Sequence, residues 1–289
     1  MSRLIAVLGP FKAAHRNTLR AAGVRPRELR RALDDGTIRQ LRRDWFIAPD
    51  CDVRVVRSLH AGTTLACTSA AAVLGLWHVA TPEVHVTASR QCSRVDRSPL
   101  PRLGSKQPEL LVHWTRHPTR GAAPRARAIV DGLPRVLGQI ARCQPLDQAV
   151  AVFDSAVRRG KTSMPELRAL AASDAAILRI VDEVHPLADT GIESIPRVRF
   201  GQRGIVMIPQ VVVDGHHVDG MIGERLLLQF DGFGPHRERK QRNKDHREDG
   251  RLVRSGYIVL RYSGDQFQYE WRLIETTVLA IMAQGRHLW

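Results

Sequence analysis

The first sixty residues place apolar positions first at helical and then at alternating spacing, with arginines between them. NTLRAAGV predicts a short helix that ends at Gly23, and PRELRRALDDG predicts a second helix that begins at Pro26 and ends at Gly36. In TIRQLRRDWFIAPD the apolar residues are interrupted by three arginines and an aspartate, as in a small β-hairpin with a basic tip. A helix pair followed by such a hairpin predicts a winged helix within residues 1–80.

Residues 81–175 are expected to form a connecting region of strands and helices. EVHVTAS and LLVHW alternate as strands do, and TTLACTSAAAVLGLW before them is helical by its alanine and leucine content. A helical block follows from Pro134 to Ala172, and in DQAVAVFDSAVRRG one apolar stripe is formed by Ala149, Val152, Phe153, Ala156 and Val157. We place the boundary between the two halves of the chain within 125–175.

From residue 190 the pattern changes to strands and turns. GIVMIPQVVVDGHHVDGMIGERLLLQFDG contains three β-rich runs separated by Asp214-Gly215 and Gly223-Glu224, which predicts a three-stranded meander. A polar, basic helix over 236–256, the buried strand YIVLRYS and a closing helix over 266–283 are expected to follow. This order predicts an α/β domain with a mixed sheet over 176–289.

Length and composition fit a globular protein of one large or two ordinary domains, with 289 residues of which 43% are apolar. No stretch approaches the ~20 apolar residues that a membrane span needs, so we expect a cytoplasmic protein without a membrane partner. The four cysteines are too far apart for a C-x-x-C pair, and their spacing predicts neither a zinc ribbon nor a redox motif. We expect them to be reduced and mostly buried.

The positive charge is concentrated in the first half of the chain. Lys and Arg number 44 against 29 Asp and Glu, a net charge of +15, and residues 1–145 contain 24 basic and 10 acidic side chains. A basic surface gains affinity for a polyanion by counterion release, so nucleic acid is the first partner to consider. On the predicted second helix and hairpin, the side chains expected to contact DNA are Arg27, Arg30, Arg31, Arg42 and Arg43.

Two acidic residues occupy strand positions where a charge is disfavoured unless it is paired or used. Asp219 lies inside an apolar strand, and Asp231 ends the next one. If these acids share a face of the sheet with Gln229, they form a cluster of oxygen ligands for Mg²⁺, and Glu193 on the preceding helix could add a further carboxylate. A metal held in this way supports phosphodiester cleavage.

The length of the loop between these two strands decides whether the cluster forms. A two-residue loop at Gly223-Glu224 sets Asp219 against Leu228. A three-residue loop, Gly223 to Arg225, sets Asp219 against Gln229 instead. The metal-binding interpretation therefore requires the three-residue loop.

The C-terminal part of the chain resembles a nuclease family on the runs VDGMIGERLLLQFDGFGPH and KDHREDGRLVRSGYIVLRYS. Over about 185–270 it is similar to the nuclease-like domains of unknown function related to very-short-patch repair endonucleases, in the PD-(D/E)xK superfamily. Sequences of that family contain, in this order, V-D, a hairpin, E-x-D-G, a nearby His, D-x-x-R-x-x-x-L and G-[YW]-x-V-L-R. The matching positions here are Asp219, Gln229 with Asp231 and Gly232, His236, Asp245, Arg247, Asp249, Leu252, Gly256 and Arg261.

This resemblance implies a restriction-endonuclease-like mixed sheet flanked by helices, with Mg²⁺ or Mn²⁺ as cofactor and DNA as substrate. It implies Asp219 as the central metal ligand, Glu193 as an accessory acid, and Asp231 and His236 as active-site groups near the scissile phosphate. Gln229 stands where the family usually has Glu. It keeps a carbonyl ligand but lacks a negative charge, which weakens Mg²⁺ binding.

The N-terminal part resembles a second family. Residues 10–80 are similar to AbiEi-type antitoxin N-terminal winged-helix domains, with weaker similarity through DQAVAVFDSAVRRG. The resemblance implies that the winged helix binds DNA in a bacterial toxin–antitoxin or phage-defence setting, with a homodimer or a cognate toxin–antitoxin partner.

Two functions therefore stay open. One is a metal-dependent DNA endonuclease targeted by its winged helix. The other is a catalytically inactive, antitoxin-like DNA-binding regulator that uses the nuclease fold as a binding module. Gln229 is the feature that separates them.

Overall fold

The computed structural model describes residues 3–89, 95–100, 107–115, 128–185, 191–231 and 239–289. The chain divides into two compact units, Met1–Cys143 (unit 1) and Gln144–Trp289 (unit 2). The expected divisions near residues 80 and 175 fall inside these units. None of the described helices combines the length and the apolar character that crossing a membrane requires.

Unit 1 begins with three short helices and a small antiparallel sheet. The elements are α1 Arg3–Val7, β1 Ala13–His15, α2 Arg16–Ala21, α3 Pro26–Asp34, β2 Arg39–Arg42 and β3 Trp45–Ile47. The sheet has the order β1-β3-β2, and its helices pack around the buried side chains of Leu4, Leu19, Ile38 and Phe46. The predicted helix pair and hairpin are thereby confirmed as elements of the fold.

Local sequence explains where these elements begin and end. Pro26 occupies the first turn of α3, where its missing N–H removes no helical hydrogen bond. Gly36 follows the helix with a φ of 75°, which a glycine adopts without steric cost. At the tip of the hairpin, Arg16 Nε lies 3.1 Å from Asp44 Oδ1 and its Nη2 donates to the carbonyl of Arg43 at 3.0 Å, so the tip is tied to α2.

The rest of unit 1 is a three-stranded sheet with helices. Its elements are α4 Val53–Ala61, β4 Thr64–Leu65, α5 Cys67–Val73, β5 Val84–Ser89, β6 Leu110–Thr115 and α6 Leu133–Cys143. The order is β4-β5-β6, with β5 and β6 parallel. The helix predicted over 63–77 is shorter than expected, because Thr64 and Leu65 pair with β5 and the N–H of Leu65 donates to the carbonyl of Ile129.

Unit 2 contains the mixed sheet that the sequence predicts. Its elements are α7 Leu146–Arg158, α8 Met164–Ala171, α9 Ala175–Val181, α10 Gly191–Gly201, β7 Met207–Val213, β8 His216–Ile222, β9 Leu226–Phe230, α11 Arg239–Arg254, β10 Ile258–Tyr262, α12 Gly264–Tyr269 and α13 Trp271–Ala283. The sheet order is β10-β9-β8-β7, in which β10 runs parallel to β9 and the other pairs are antiparallel. The α/β class and the mixed sheet are therefore confirmed.

Buried ion pairs join two helices of unit 2. The apolar stripe predicted on α7 is largely buried, and Phe153 is completely so. Asp154 on α7 lies 3.2 Å from Arg197 on α10 and also accepts the N–H of His185 at 2.8 Å. Burial raises the pKa of the Asp154 carboxyl to about 6, although these partners act in the opposite direction.

Candidate functional site

The loop between β8 and β9 has three residues. Ile222 pairs with Leu226, Met221 with Leu227 and Gly220 with Leu228, which leaves Gly223 to Arg225 as the loop. Gly223 has a φ of 64°, the left-handed conformation that such a loop uses. Of the two loop lengths that the sequence leaves open, the structure has the one that the metal-binding interpretation requires. Continued by one residue, this register sets Asp219 opposite Gln229.

Asp219 interacts with the end of the neighbouring strand. Its side chain is half-buried, and its Oδ2 accepts the backbone N–H of Phe230 at 2.7 Å. The carboxylate thus satisfies a backbone donor of β9 at the point where the paired register ends. A charge inside an apolar strand therefore has a structural role here, whatever else it does.

Gln229 and Asp231 are brought together by an arginine. Parallel pairing of β9 with β10 places Arg261 beside Gln229, and Arg261 Nη2 donates to Gln229 Oε1 at 2.6 Å. Arg261 Nη1 donates to Asp231 Oδ1 at 3.0 Å. Its Nε and Nη2 both donate to the carboxylate of Asp249 on α11, each at 2.8 Å. We call Gln229, Asp231, Asp249 and Arg261 the Arg261 cluster.

The electrostatics of the Arg261 cluster keep the guanidinium charged. Burial alone lowers the pKa of Arg261, but the hydrogen bonds to Asp249 and the charges of Asp249 and Asp231 together raise it above its ordinary value. The guanidinium contacts the Gln229 and Asp231 oxygens that a cation would need as ligands. A fixed positive charge at this position disfavours a second cation.

The remaining predicted acids do not complete a metal cluster. Glu193 is buried on α10, and His236 lies outside the described residues. Within the described part of the chain, Asp219, Asp231 and Glu193 do not form a group of three side chains that could hold a metal ion. As placed, these residues do not fit Mg²⁺ or Mn²⁺, and the ligand roles of Asp219, Gln229 and Glu193 stay predictions.

The five arginines predicted to contact DNA are all exposed. Arg27, Arg30 and Arg31 lie on α3, and Arg42 and Arg43 lie in the β2–β3 hairpin. We call these five residues the α3–hairpin surface. Among the described residues, no carboxylate lies within 4.0 Å of Arg27, Arg30 or Arg43.

Two arrangements were missed by reasoning from the sequence. The first is the role of Arg261 as the centre of a hydrogen-bonded cluster. The second is a group formed by Cys67, His85, His113 and Cys143 in unit 1. A signal for the second was present, because EVHVTAS and LLVHW each have a histidine at an alternate strand position, and pairing of these strands brings the two together.

Comparisons with known proteins give a partial match to a solved structure. No family model and no curated protein matches the chain. The chain is similar to a solved structure, the homing endonuclease I-Bth0305I catalytic domain. The match covers 32% of this chain and 94% of that one, at 24% identity and a TM-score of 0.27.

Proposed function

We propose that the chain binds duplex DNA through the α3–hairpin surface, as a winged-helix protein. The observation that carries this proposal is the exposure of five arginines on α3 and the adjacent hairpin, three of which have no carboxylate within ion-pair distance among the described residues. Charged side chains without a protein partner are available to phosphate groups. Guanidinium groups suit that contact because their planar fork donates two parallel hydrogen bonds.

The order of elements supports a groove-binding role for α3. Helix α2 is followed after four residues by α3, and β2 and β3 then form the hairpin. In helix-turn-helix proteins the second helix enters the major groove while neighbouring elements contact the backbone. Helix α3 occupies the place of the recognition helix, and the hairpin occupies the place of the wing.

The position of the hairpin tip is already fixed by the protein. Arg16 binds both Asp44 and the carbonyl of Arg43, so little conformational entropy is lost when the tip contacts a ligand. The Arg43 side chain remains exposed beside this anchor. The toxin–antitoxin or phage-defence setting rests on the family resemblance alone and stays a prediction.

Binding of the full chain to duplex DNA should depend steeply on salt. If the α3–hairpin surface contacts five phosphates, log Kobs should fall against log salt with a slope of about −4 to −5, since each contact contributes about −0.9. Fluorescence anisotropy with a labelled duplex measures the slope. Absence of binding at low salt, or an affinity that does not change with salt, contradicts the proposal.

Metal-dependent DNA cleavage by unit 2 is a second candidate function. The observation that favours it is the register that sets Asp219 opposite Gln229 across β8 and β9. The Arg261 cluster opposes it, because Arg261 already binds the oxygens of Gln229 and Asp231. Gln229→Glu adds the carboxylate that the family resemblance places at this position. A carboxylate binds a metal ion more strongly than an amide oxygen does, so this variant should compete better with Arg261 for the ligand position.

Plasmid nicking with Mg²⁺ or Mn²⁺ tests this second candidate. It predicts that the natural chain cuts, that Asp219→Ala abolishes cutting and that Gln229→Glu increases it about tenfold or more, as expected for a restored charged ligand. Asp214→Asn is the control: it removes an exposed acid in the β7–β8 turn, and asparagine tolerates the φ of 49° there. Failure of all four proteins to cut eliminates cleavage and leaves DNA binding as the function.

A further inference from the structure

Two cysteines and two histidines meet inside unit 1, each on a different element. Cys67 begins α5, His85 lies on β5, His113 lies on β6 and Cys143 ends α6. One potential ligand atom of each residue lies within 4.8 Å of those of the other three. We propose that these four side chains bind one Zn²⁺ ion in a closed, structural Cys₂His₂ site.

Two of the separations between the ligand atoms are close to those of a tetrahedral zinc site. Zinc–sulfur bonds of ~2.3 Å and zinc–nitrogen bonds of ~2.0 Å imply an N···N separation of ~3.3 Å and an S···N separation of ~3.6 Å between ligands. His85 Nδ1 lies 3.2 Å from His113 Nε2, and Cys143 Sγ lies 3.8 Å from His85 Nδ1. Only small movements are needed for these atoms to share one ion.

The pairing of two strands places both histidines on one face of the sheet. Strands β5 and β6 are parallel, with His85 opposite Leu111 and Thr87 opposite His113. Residues two positions apart on a strand point to the same side. The two imidazoles are therefore diagonal neighbours, and their ring centroids lie 5.3 Å apart.

The backbone at Cys67 is held in an unusual conformation. Its φ is 48°, which is uncommon for a residue other than glycine. Gln139 on α6 stabilises this conformation, because its Oε1 accepts the N–H of Cys67 at 2.9 Å. The Nε2 of Gln139 in turn donates to Thr87 Oγ1 at 2.7 Å and to Asp131 Oδ2 at 2.9 Å. Strained backbone that is fixed by a buried polar network is typical of functional sites, and metal ligands are commonly oriented by such outer contacts.

The donor atoms select the metal. Thiolate and imidazole together favour Zn²⁺, whereas Mg²⁺ prefers oxygen, so this site is distinct from any Mg²⁺ site in unit 2. Four protein ligands leave no position for a catalytic water, so the ion would join β5, β6, α5 and α6 rather than perform chemistry.

Two other states of the same residues are chemically distinct from a zinc site. Cys67 and Cys143 could oxidise to a disulfide, or all four side chains could form a metal-free polar cluster. A zinc ion would bind one donor atom of each of the four side chains, which neither of the other two states does. The three states differ in metal content and in thiol oxidation, and both can be measured.

The test is the metal content of the full chain expressed with zinc in the medium and purified under reducing conditions. We expect about one Zn²⁺ per chain by mass spectrometry of the element, as for a structural site. Replacement of zinc by Co²⁺ should give the visible absorption bands of tetrahedral thiolate coordination. Cys143→Ser and His113→Ala should each reduce bound zinc several-fold, because half-buried positions tolerate these changes better than Cys67 or His85 do.

Cys51→Ser is the matched control. Cys51 is another half-buried thiol of unit 1, its Sγ donates to the carbonyl of Phe11 at 3.3 Å, and serine can make the same bond, so zinc content should be unchanged. If the ligand variants do not fold, chelation of the natural chain replaces them: EDTA should lower its Tm, and Zn²⁺ but not Mg²⁺ should restore it. Metal-free protein whose Tm is unaffected by chelator and by Zn²⁺, or a Cys67–Cys143 disulfide in the reduced preparation, overturns the proposal.

Discussion

Arg261→Met is expected to lower the free energy of unfolding by about 3 kcal/mol, the low end of the range for removing one partner of a buried ion pair. The Arg261 side chain is 19% exposed and donates hydrogen bonds to Gln229, Asp231 and Asp249. Methionine preserves the apolar length of the side chain but removes the guanidinium that Asp231 and Asp249 both bind. The loss of these contacts destabilises the packing of β9, β10 and α11.

The matched control is Arg203→Met, also in unit 2. Arg203 Nε lies 2.8 Å from Glu275 Oε1, and the Arg203 side chain is 61% exposed whereas that of Glu275 is 15% exposed. Water screens a guanidinium that is exposed to this extent, so its removal should cost about 0–1 kcal/mol and this variant should unfold close to the natural chain. Urea denaturation followed by circular dichroism measures all three proteins. If Arg261→Met and Arg203→Met lower the free energy of unfolding equally, the Arg261 cluster stabilises the fold no more than the Arg203–Glu275 pair does.

The N-terminal elements could be predicted because their ends are marked by local residues. Pro26 opens α3 and Gly36 follows it, and the alternating pattern around Trp45 marks the hairpin. Gly223 likewise marks the turn between β8 and β9 by its positive φ, although a glycine there suits a two-residue loop as well as a three-residue loop. Local signals of this kind do not depend on which other elements lie nearby.

The Arg261 cluster could not be predicted because it depends on strand order. Its members are up to 32 positions apart, and only the parallel pairing of β10 with β9 sets Arg261 beside Gln229. The sequence pattern identifies both strands without stating that they are neighbours. The family resemblance points to the same positions but does not predict that an arginine would bind the oxygens expected to hold a metal.

The cysteine and histidine group in unit 1 was missed for a related reason. Known zinc motifs are recognised by ligands that lie a few residues apart, whereas here each ligand comes from a different element. The cysteines were expected to be mostly buried, but of the three described thiols only Cys67 is buried and Cys51 and Cys143 are half-buried; Cys92 lies outside the described residues. A site whose residues are brought together by tertiary packing is not recognisable from the spacing of those residues along the sequence.

Replacing Arg27, Arg30 and Arg43 together by alanine is expected to weaken binding to duplex DNA about 10²- to 10³-fold near 0.1 M salt, roughly tenfold for each lost phosphate contact. The slope of log Kobs against log salt should become about 3 units shallower, because fewer counterions are released. These three side chains are exposed, so the fold should be retained.

The control removes the same number of charges from unit 2. Arg159, Arg168 and Arg179 are exposed, and the triple alanine variant at these positions changes the net charge equally. The proposal assigns the phosphate contacts to the α3–hairpin surface and none to these three arginines, so this variant should lose less than about threefold in affinity. A larger loss of DNA affinity in the α3–hairpin variant would therefore result from the position of the removed charges and not from the change in net charge.

The decisive measurement is an anisotropy titration of the natural chain and both triple variants with one labelled duplex, from about 0.05 to 0.2 M salt. DNA binding through the α3–hairpin surface predicts that the unit 2 variant keeps the natural Kd and salt slope. The Arg27, Arg30 and Arg43 variant should bind about 10²- to 10³-fold more weakly, with a slope about 3 units shallower. If the α3–hairpin variant keeps the natural Kd and slope, or if the unit 2 variant loses as much, DNA does not bind at this surface.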